Sequence, residues 1–244
     1  MTHKTKGILL RTIKYGETSL VVSIFTELFG VQAYLVNGVR TPKRSGNKAA
    51  MYQPAAILDL EVYHNDLKGL QRIKECNWGF LYENILNTVV KNSIALYMVE
   101  LLQKVLRQPE KQTDLFNFCE DALLELDKAP DAVTANFALY FTLQLPQFFG
   151  FKINNNYSER NVYLDLPEGN FTAEHPTHVG FLEGNYASIT SELLRMMQPA
   201  ELAQLKLNKE IRRALLLKYQ EYYRFHISDF GQLKSLEILH EVLG

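Results

Sequence analysis

A chain of 244 residues with 47% apolar content has enough hydrophobic mass for one large domain or two, and a formal net charge of −1 marks it neither as strongly basic nor as strongly acidic. Its two cysteines, Cys76 and Cys119, have no partner motif, which argues against a disulfide framework or a cysteine-based zinc site and reads both as small hydrophobes. No apolar run approaches the roughly 20 residues of a membrane-spanning helix, and MTHKTKGILLRTIKYG offers only GILL where a signal peptide needs about 7–15 apolar residues, so a cytoplasmic protein without membrane contact is expected.

The first 75 residues have the period of a sheet. GILLRTIKYG, TSLVVSIFTELFG, VQAYLVNGV and AAILDLEVYH each read as a strand, and a fifth is expected around Gly69 to Lys74. In the fourth, Ala56, Leu58, Leu60 and Val62 alternate with Ile57, Asp59, Glu61 and Tyr63, the pattern of a half-buried strand. Five short strands in so short a segment suit a small closed barrel, because closure removes the edges that an open sheet leaves unpaired. An OB-type barrel is the first expectation and an SH3-like one the second.

Between the third and fourth strands lies NGVRTPKRSGNKAA, in which Arg40, Lys43, Arg44 and Lys48 stand among Gly, Pro, Ser and Asn with no acid between Glu27 and Asp59. Gly38 and Gly46 do not have P-loop spacing, so nucleotide hydrolysis is not indicated. On an OB-type barrel such a loop flanks the face that grips single-stranded nucleic acid, with cations on phosphates and aromatics on bases. Tyr15, Phe29, Tyr34 and Tyr52 are available either for stacking or for the core. The bland alternative is a solvated loop that keeps a long hairpin soluble.

From Trp78 the period becomes helical. FLYENILNTVVKNSIALYMVELLQKVLR is expected as one helix ending before Pro109; TDLFNFCEDALLELDK and DAVTANFALYFTLQLPQFFG follow, the latter bent or stopped near Pro146. Residues 151–187, rich in Asn, Gly, His and Pro, read as a β-hairpin or small knob inserted between helices. SITSELLRMM, PAELAQLKL, NKEIRRALLLKYQEYYRFHI and LKSLEILHEVLG return to helix, with Asn208 as an N-cap and Pro199 in a first turn. The fold class is α+β: a barrel over residues 1–76, then a mainly helical domain over 77–244 carrying the knob.

Charge divides along the same lines. Residues 1–75 hold 11 Lys/Arg against 6 Asp/Glu, residues 76–204 hold 8 against 16, and residues 205–244 hold 7 against 5. Opposite balances on successive segments predict domains facing different partners. His175 and His178 in HPTH make at most a partial metal shell, and a surface turn is the expectation. RRALLLKYQEYYRFHI places Ile211, Leu215, Tyr219 and Tyr222 on one stripe, the pattern of ordinary helix packing, with arginines on other faces. No catalytic arrangement occurs at diagnostic spacing, and no enzyme is expected.

Taken in order, these features resemble the RecO family of bacterial recombination mediators. GILLRTIKYGETSLVVSIFTELFGVQAYLVNGVRTPKR has the family's R-T-x-x-Y-G-E strand end, its F-T-x-x-x-G turn and a strand running into G-x-R and a basic loop; QPAAILDLEVY, LPQFFGF and DFGQLKSLEIL match later segments. The resemblance implies an OB-fold N-terminal domain followed by a helical domain. It further implies binding of single- and double-stranded DNA, annealing of complementary strands, and help in loading the RecA recombinase in recombinational repair. The implied partners are RecR, sometimes RecF, and the acidic C-terminal tail of the single-strand-binding protein, and the implied location is the cytoplasm at the nucleoid. Arg40, Lys43, Arg44 and Lys48 fall in the family's basic loop and are assigned phosphate contacts, with Arg11 and Lys14 as second-rank candidates. Many members carry two C-x-x-C pairs in the knob; residues 151–187 contain no cysteine, so no zinc is expected, and Phe151, Tyr157, Tyr163, Phe171 and Phe181 are expected as an apolar substitute core. The rival expectation is an interaction adaptor that docks acidic peptide tails and does not bind DNA.

Overall fold

The computed structural model describes residues 2–39 and 49–242, so Arg40, Lys43, Arg44 and Lys48 lie outside the described residues. The chain forms two compact units, Met1–Thr88 with Val99–Asp127, and Val89–Met98 with Lys128–Gly244. This division falls elsewhere than at residue 76, because helical residues after the barrel pack into the barrel's own unit.

The first unit is built on a closed barrel of order β1-β2-β3-β5-β4, the OB-type arrangement, with β1 Thr2–Tyr15, β2 Ser19–Thr26, β3 Gly30–Val36, β4 Ile57–Tyr63 and β5 Gln71–Trp78. At fourteen residues β1 is long enough to serve two neighbours: Thr2 to Ile8 pair with β4, and Gly7 to Tyr15 with β2. Where it passes from one to the other, Leu9 lies opposite Ile24 and Arg11 opposite Ser23, so Leu10 is an extra residue. Such a bulge bends the strand and leaves a carbonyl without a ladder partner. The Leu10 carbonyl accepts a hydrogen bond from the Gln103 side chain instead. Gly7 lies at the same corner, and a Cβ there would stand 2.5 Å from Ile24 Cγ2 and 2.9 Å from Leu60 Cδ1, so the crossing needs glycine. Parallel pairing of Tyr34 with Gln71 and of Leu35 with Arg72 closes the barrel around Leu9, Leu20, Val22, Ile24, Tyr34, Leu58, Leu60 and Val62.

The helix expected from Phe80 begins only at Val89 (α1, Val89–Val105). The reason is Asp127, a buried carboxylate at the end of α2 (Thr113–Lys128). Its two oxygens accept the backbone N–H groups of Glu83, Asn84 and Ile85, and its carbonyl accepts the Asn84 side-chain amide. Those amides are thereby committed to a turn, which overrides the apolar spacing. On α2, Phe116 packs edge-on to Phe25 of the barrel at 5.5 Å, Cys119 is buried, and Glu120 accepts a hydrogen bond from Lys6.

The second unit is organised around α3 (Asp131–Gln144), which is buried from Val133 to Leu143 except at Ala135. Its polar side chains are therefore paired: Asn136 donates to the Leu205 carbonyl, and the Thr142 hydroxyl meets that of Tyr97 at 2.7 Å. A 3₁₀ turn, Leu145–Phe149, ends the helix at Pro146 as expected. The knob is a three-stranded antiparallel sheet of order β7-β6-β8, with β6 Tyr163–Asp165, β7 Asn170–Thr172 and β8 Phe181–Leu182. It leads into α4 (Gly184–Arg195), a 3₁₀ turn at Pro199–Gln204, α5 (Lys209–His226), capped by Asn208 as expected, and α6 (Ser235–Val242). Among the described residues no helix is long and apolar enough to cross a membrane.

Replacing Asp127 by Ala leaves the Glu83, Asn84 and Ile85 N–H groups without their charged acceptor, and a loss of about 3 kcal/mol or more is expected in urea unfolding. A loss below about 1 kcal/mol would contradict this role for the carboxylate.

Candidate nucleic-acid interface

The extra residue at Leu10 decides which side chains of β1 face outward. Before it, Lys4 and Lys6 are exposed; after it, the sequence parity reverses and Arg11, Ile13 and Tyr15 face out. Directly opposed residues share a face of a sheet, so the pairing extends these positions across the barrel. Thr12, Val22, Tyr34 and Gln71 form an inward row; Ile13, Val21, Leu35, Arg72 and Tyr63 form the adjacent outward one. A second outward row runs Arg11, Ser23, Ala33, and a third starts with Tyr15 and Ser19, whose hydroxyl donates to Asn37 Oδ1. The result is a shallow face with small and aliphatic residues in the middle, Tyr15 (58% exposed), Ile13 (46%) and Tyr63 (48%) standing out, and the cations Arg11 and Arg72.

Arg11 and Lys14, both named from the sequence, are exposed but do not share a row. Lys14 lies opposite Leu20 in the inward register and is exposed because β1 ends one residue later, which sets it on the barrel rim. Between them, Thr12 donates to the Tyr52 carbonyl at 2.7 Å, so the chain returning from the cationic segment is fixed to the same stretch of β1. Of the four aromatics considered for stacking, Tyr34 is fully buried and Tyr52 is 8% exposed, both in the barrel core. Burial raises the Tyr34 and Tyr52 phenols well above their ordinary pKa. Phe29 is half-buried and stacked on His64 at 3.9 Å. Only Tyr15 presents its ring. Arg72 and Tyr63 were not singled out, although the β4 alternation had already put Tyr63 on the solvent face.

Among the described residues, no hydrogen bond or ion pair engages Arg11, Lys14 or Arg72. On the β1–β4–β5 side of the barrel the cations Lys6 and Lys74 are committed, and Lys4 lies in a row with Glu61 and Glu75. Lys6 bonds Glu120 and Lys74 bonds Glu61, each at 2.7 Å. The hydrogen bond that Lys6 donates to Glu120 raises its amine above its ordinary pKa, and the one from Lys74 lowers the Glu61 carboxyl. There the outward rows are Lys4, Glu61, Glu75 and Lys6, Asp59, Asn77, a face on which acids balance or exceed cations.

In the second unit, the tyrosines of RRALLLKYQEYYRFHI are packing residues: Tyr219, Tyr222 and Tyr223 are buried. Arg212 donates to the Leu207 carbonyl and Lys218 pairs with Glu221. Arg213 and Arg224 are exposed. Of the aromatics in this segment only Phe225 is exposed, next to Arg224 in sequence.

The comparisons with known proteins agree with the barrel and its sequel. The family model described as Recombination protein O N terminal matches residues 1–81, and that described as Recombination protein O C terminal matches residues 86–237. The chain belongs to the RecO family. Proteins named DNA repair protein RecO are similar over nearly their whole length: that of Azobacteroides pseudotrichonymphae is 31% identical over 242 residues, covering 99% of each chain. Those of Bacteroides fragilis and Phocaeicola vulgatus are 32% and 30% identical, covering 99% and 100% of each chain.

Where many RecO proteins have two C-x-x-C pairs, this chain has the three-stranded sheet. Of the five aromatics expected as the knob's core, Phe171 is buried as expected, and its other buried apolar residues are the aliphatic Ile153, Leu164, Leu166 and Leu182. Tyr157 lies edge-on to Phe171 at 5.3 Å, and Phe151 faces away into α5, stacked on His226 and beside Tyr223. Both histidines of HPTH are employed in the sheet. His178 pairs with Asp165 at 3.1 Å, and His175 meets the rings of Tyr163 and Phe181. Among the described residues no group of three or more His, Cys, Asp and Glu is placed to hold a metal ion.

Proposed function

We propose that this RecO-family chain acts in DNA repair as a recombination mediator that binds single- and double-stranded DNA on the outer face of its barrel, anneals complementary strands and assists RecA loading. The observation that supports this most is the contrast between two sides of one barrel: uncommitted Arg11, Lys14 and Arg72 beside exposed Tyr15 and Tyr63 on one, and on the other Lys6 and Lys74 tied to carboxylates, with Lys4 in a row that holds two acids. Cations without internal partners exchange condensed counterions for phosphates at little cost, and exposed aromatic rings stack bases of any sequence. Arg40, Lys43, Arg44 and Lys48 add phosphate contacts from the segment of sequence between β3 and β4. Annealing then needs no catalytic group. Neutralising two backbones lowers their repulsion and raises local strand concentration, and base pairing drives the reaction.

An adaptor role without DNA binding is the second reading, favoured by the cationic loop's equal suitability for an acidic peptide. RecR, RecF and the acidic tail of the single-strand-binding protein are the partners proposed for the remaining surface. The two readings separate on plain DNA. With labelled oligothymidylate, log affinity against log salt should change in slope by about 2 in R11A/K14A/R72A and by about 3 in the quadruple loop alanine variant, at roughly 0.7 per phosphate contact. Tyr15→Ala should cost about 1–3 kcal/mol of binding. Slopes that stay at the wild-type value in both multiple variants, or no binding at physiological salt, would leave the adaptor.

The knob is proposed to fold on its apolar residues alone, without zinc. Purified protein should carry far less than one zinc per chain and melt at the same temperature with and without EDTA. Stoichiometric zinc, or a chelator-dependent fall in melting temperature, would show a metal that the sheet requires.

A further inference from the structure

A groove of about 700 Å³ opens in the first unit beside the barrel face just described. One wall is the outer surface of β2 and β3, including Ser23, Val31 and Ala33. A second is the β4–β5 connection, residues 64–69, and the third is the segment from Leu106 to Lys111 that follows α1. Each wall is held in place by identifiable bonds. The buried Gln71 side chain donates to the carbonyls of Asn65 and Lys68 and accepts from the Asn65 N–H, which fixes the β4–β5 connection. His64 is clamped by its stack on Phe29 and a 2.7 Å contact with Asp66. The third wall sits so close to the start of β3 that a Cβ on Gly30, at φ +63°, would come 2.2 Å from the Glu110 carbonyl oxygen.

The groove's charge is carried by Lys68, Arg107 and Lys111. All three are exposed, and among the described residues none has a hydrogen bond or ion pair from its side chain. One acid, Asp66, also lines the groove, hydrogen-bonded to His64, so three cations stand against one carboxylate and the balance is positive. The floor is also continuous with the proposed DNA face: Ser23 and Ala33, which line the groove, are in register with Arg11.

Resting on the DNA-binding function proposed above, we infer that the groove carries a single-stranded polynucleotide onward from the Arg11 face, with Lys68, Arg107 and Lys111 on its phosphates. Three uncommitted cations along an open channel match the repeating charge of a backbone, and its continuity with the barrel face gives one strand an unbroken path. The uncharged floor of Ser, Val and Ala lets bases of any identity lie against it.

The test measures oligothymidylate affinity against salt for the full chain, K68A/R107A/K111A and R11A/K14A/R72A, with lysine acetylation of the wild type read by mass spectrometry with and without oligonucleotide. The groove variant should bind about tenfold more weakly at moderate salt, with a slope smaller by about 2. Lys68 and Lys111 should be protected by the oligonucleotide, and exposed Lys152 of the second unit should not. An unchanged slope and unprotected Lys68 and Lys111, with R11A/K14A/R72A still impaired, would overturn the groove and leave the barrel face standing. Failure of the wild type to bind would overturn both. A groove variant that keeps its DNA affinity but no longer binds an acidic peptide would assign the groove to that peptide. The footprint on the wild type decides the matter even if the triple variant is unstable.

Discussion

The structure of the first unit depends on one irregularity in a hydrogen-bonded ladder. A strand that must pair with two neighbours around a closed barrel has to bend, and β1 does so by placing Leu10 as an additional residue between the Leu9 and Arg11 pairings. Because side chains alternate with a period of two, one inserted residue transfers every later position to the other face. Without it, Thr12 and Lys14 would look outward, and Arg11, Ile13 and Tyr15 would be driven into the core. The Gln103 hydrogen bond to the Leu10 carbonyl stabilises the insertion, and Gly7 makes room for the bend.

That local event gives a nearly neutral protein a polarised barrel. A net charge of −1 supplies no long-range attraction to a polyanion, so the proposed affinity for DNA rests on where cations stand and whether they are already engaged. Lys6 and Lys74 are engaged by carboxylates; Arg11, Lys14 and Arg72 are not. The distinction matters more than the count, because a lysine that must first leave a carboxylate gains little from a phosphate.

Much of the fold was legible in the sequence because burial obeys period: Leu58, Leu60 and Val62 are buried and Asp59 and Tyr63 exposed, although Ile57, on the outward phase of the same strand, is buried too, and α2 spans Thr113–Lys128 as its pattern predicts. Departures occur where a distant side chain competes with local preference. Asp127 draws residues 83–85 into a turn from more than forty positions away, and nothing near Leu81 announces it. The site was only partly legible. Arg11 and Tyr15 could be named as a cation and an aromatic, but their shared outward face depends on the shift at Leu10, which alternation alone does not reveal. Arg72 joins them only through the parallel β3–β5 pairing, a contact between segments 37 positions apart. Tyr34 and Tyr52, equally aromatic, are consumed by the core.

The central claim is that an uncommitted cationic face, rather than cations in general, holds the DNA. Its most direct test compares two double variants of equal charge change, R11A/R72A and K6A/K74A, by the salt dependence of oligothymidylate binding. The account predicts that R11A/R72A lowers the slope by about 1.4, at about 0.7 per lost phosphate contact, and that K6A/K74A leaves it at the wild-type value. Equal losses in the two variants, or a loss confined to K6A/K74A, would contradict it.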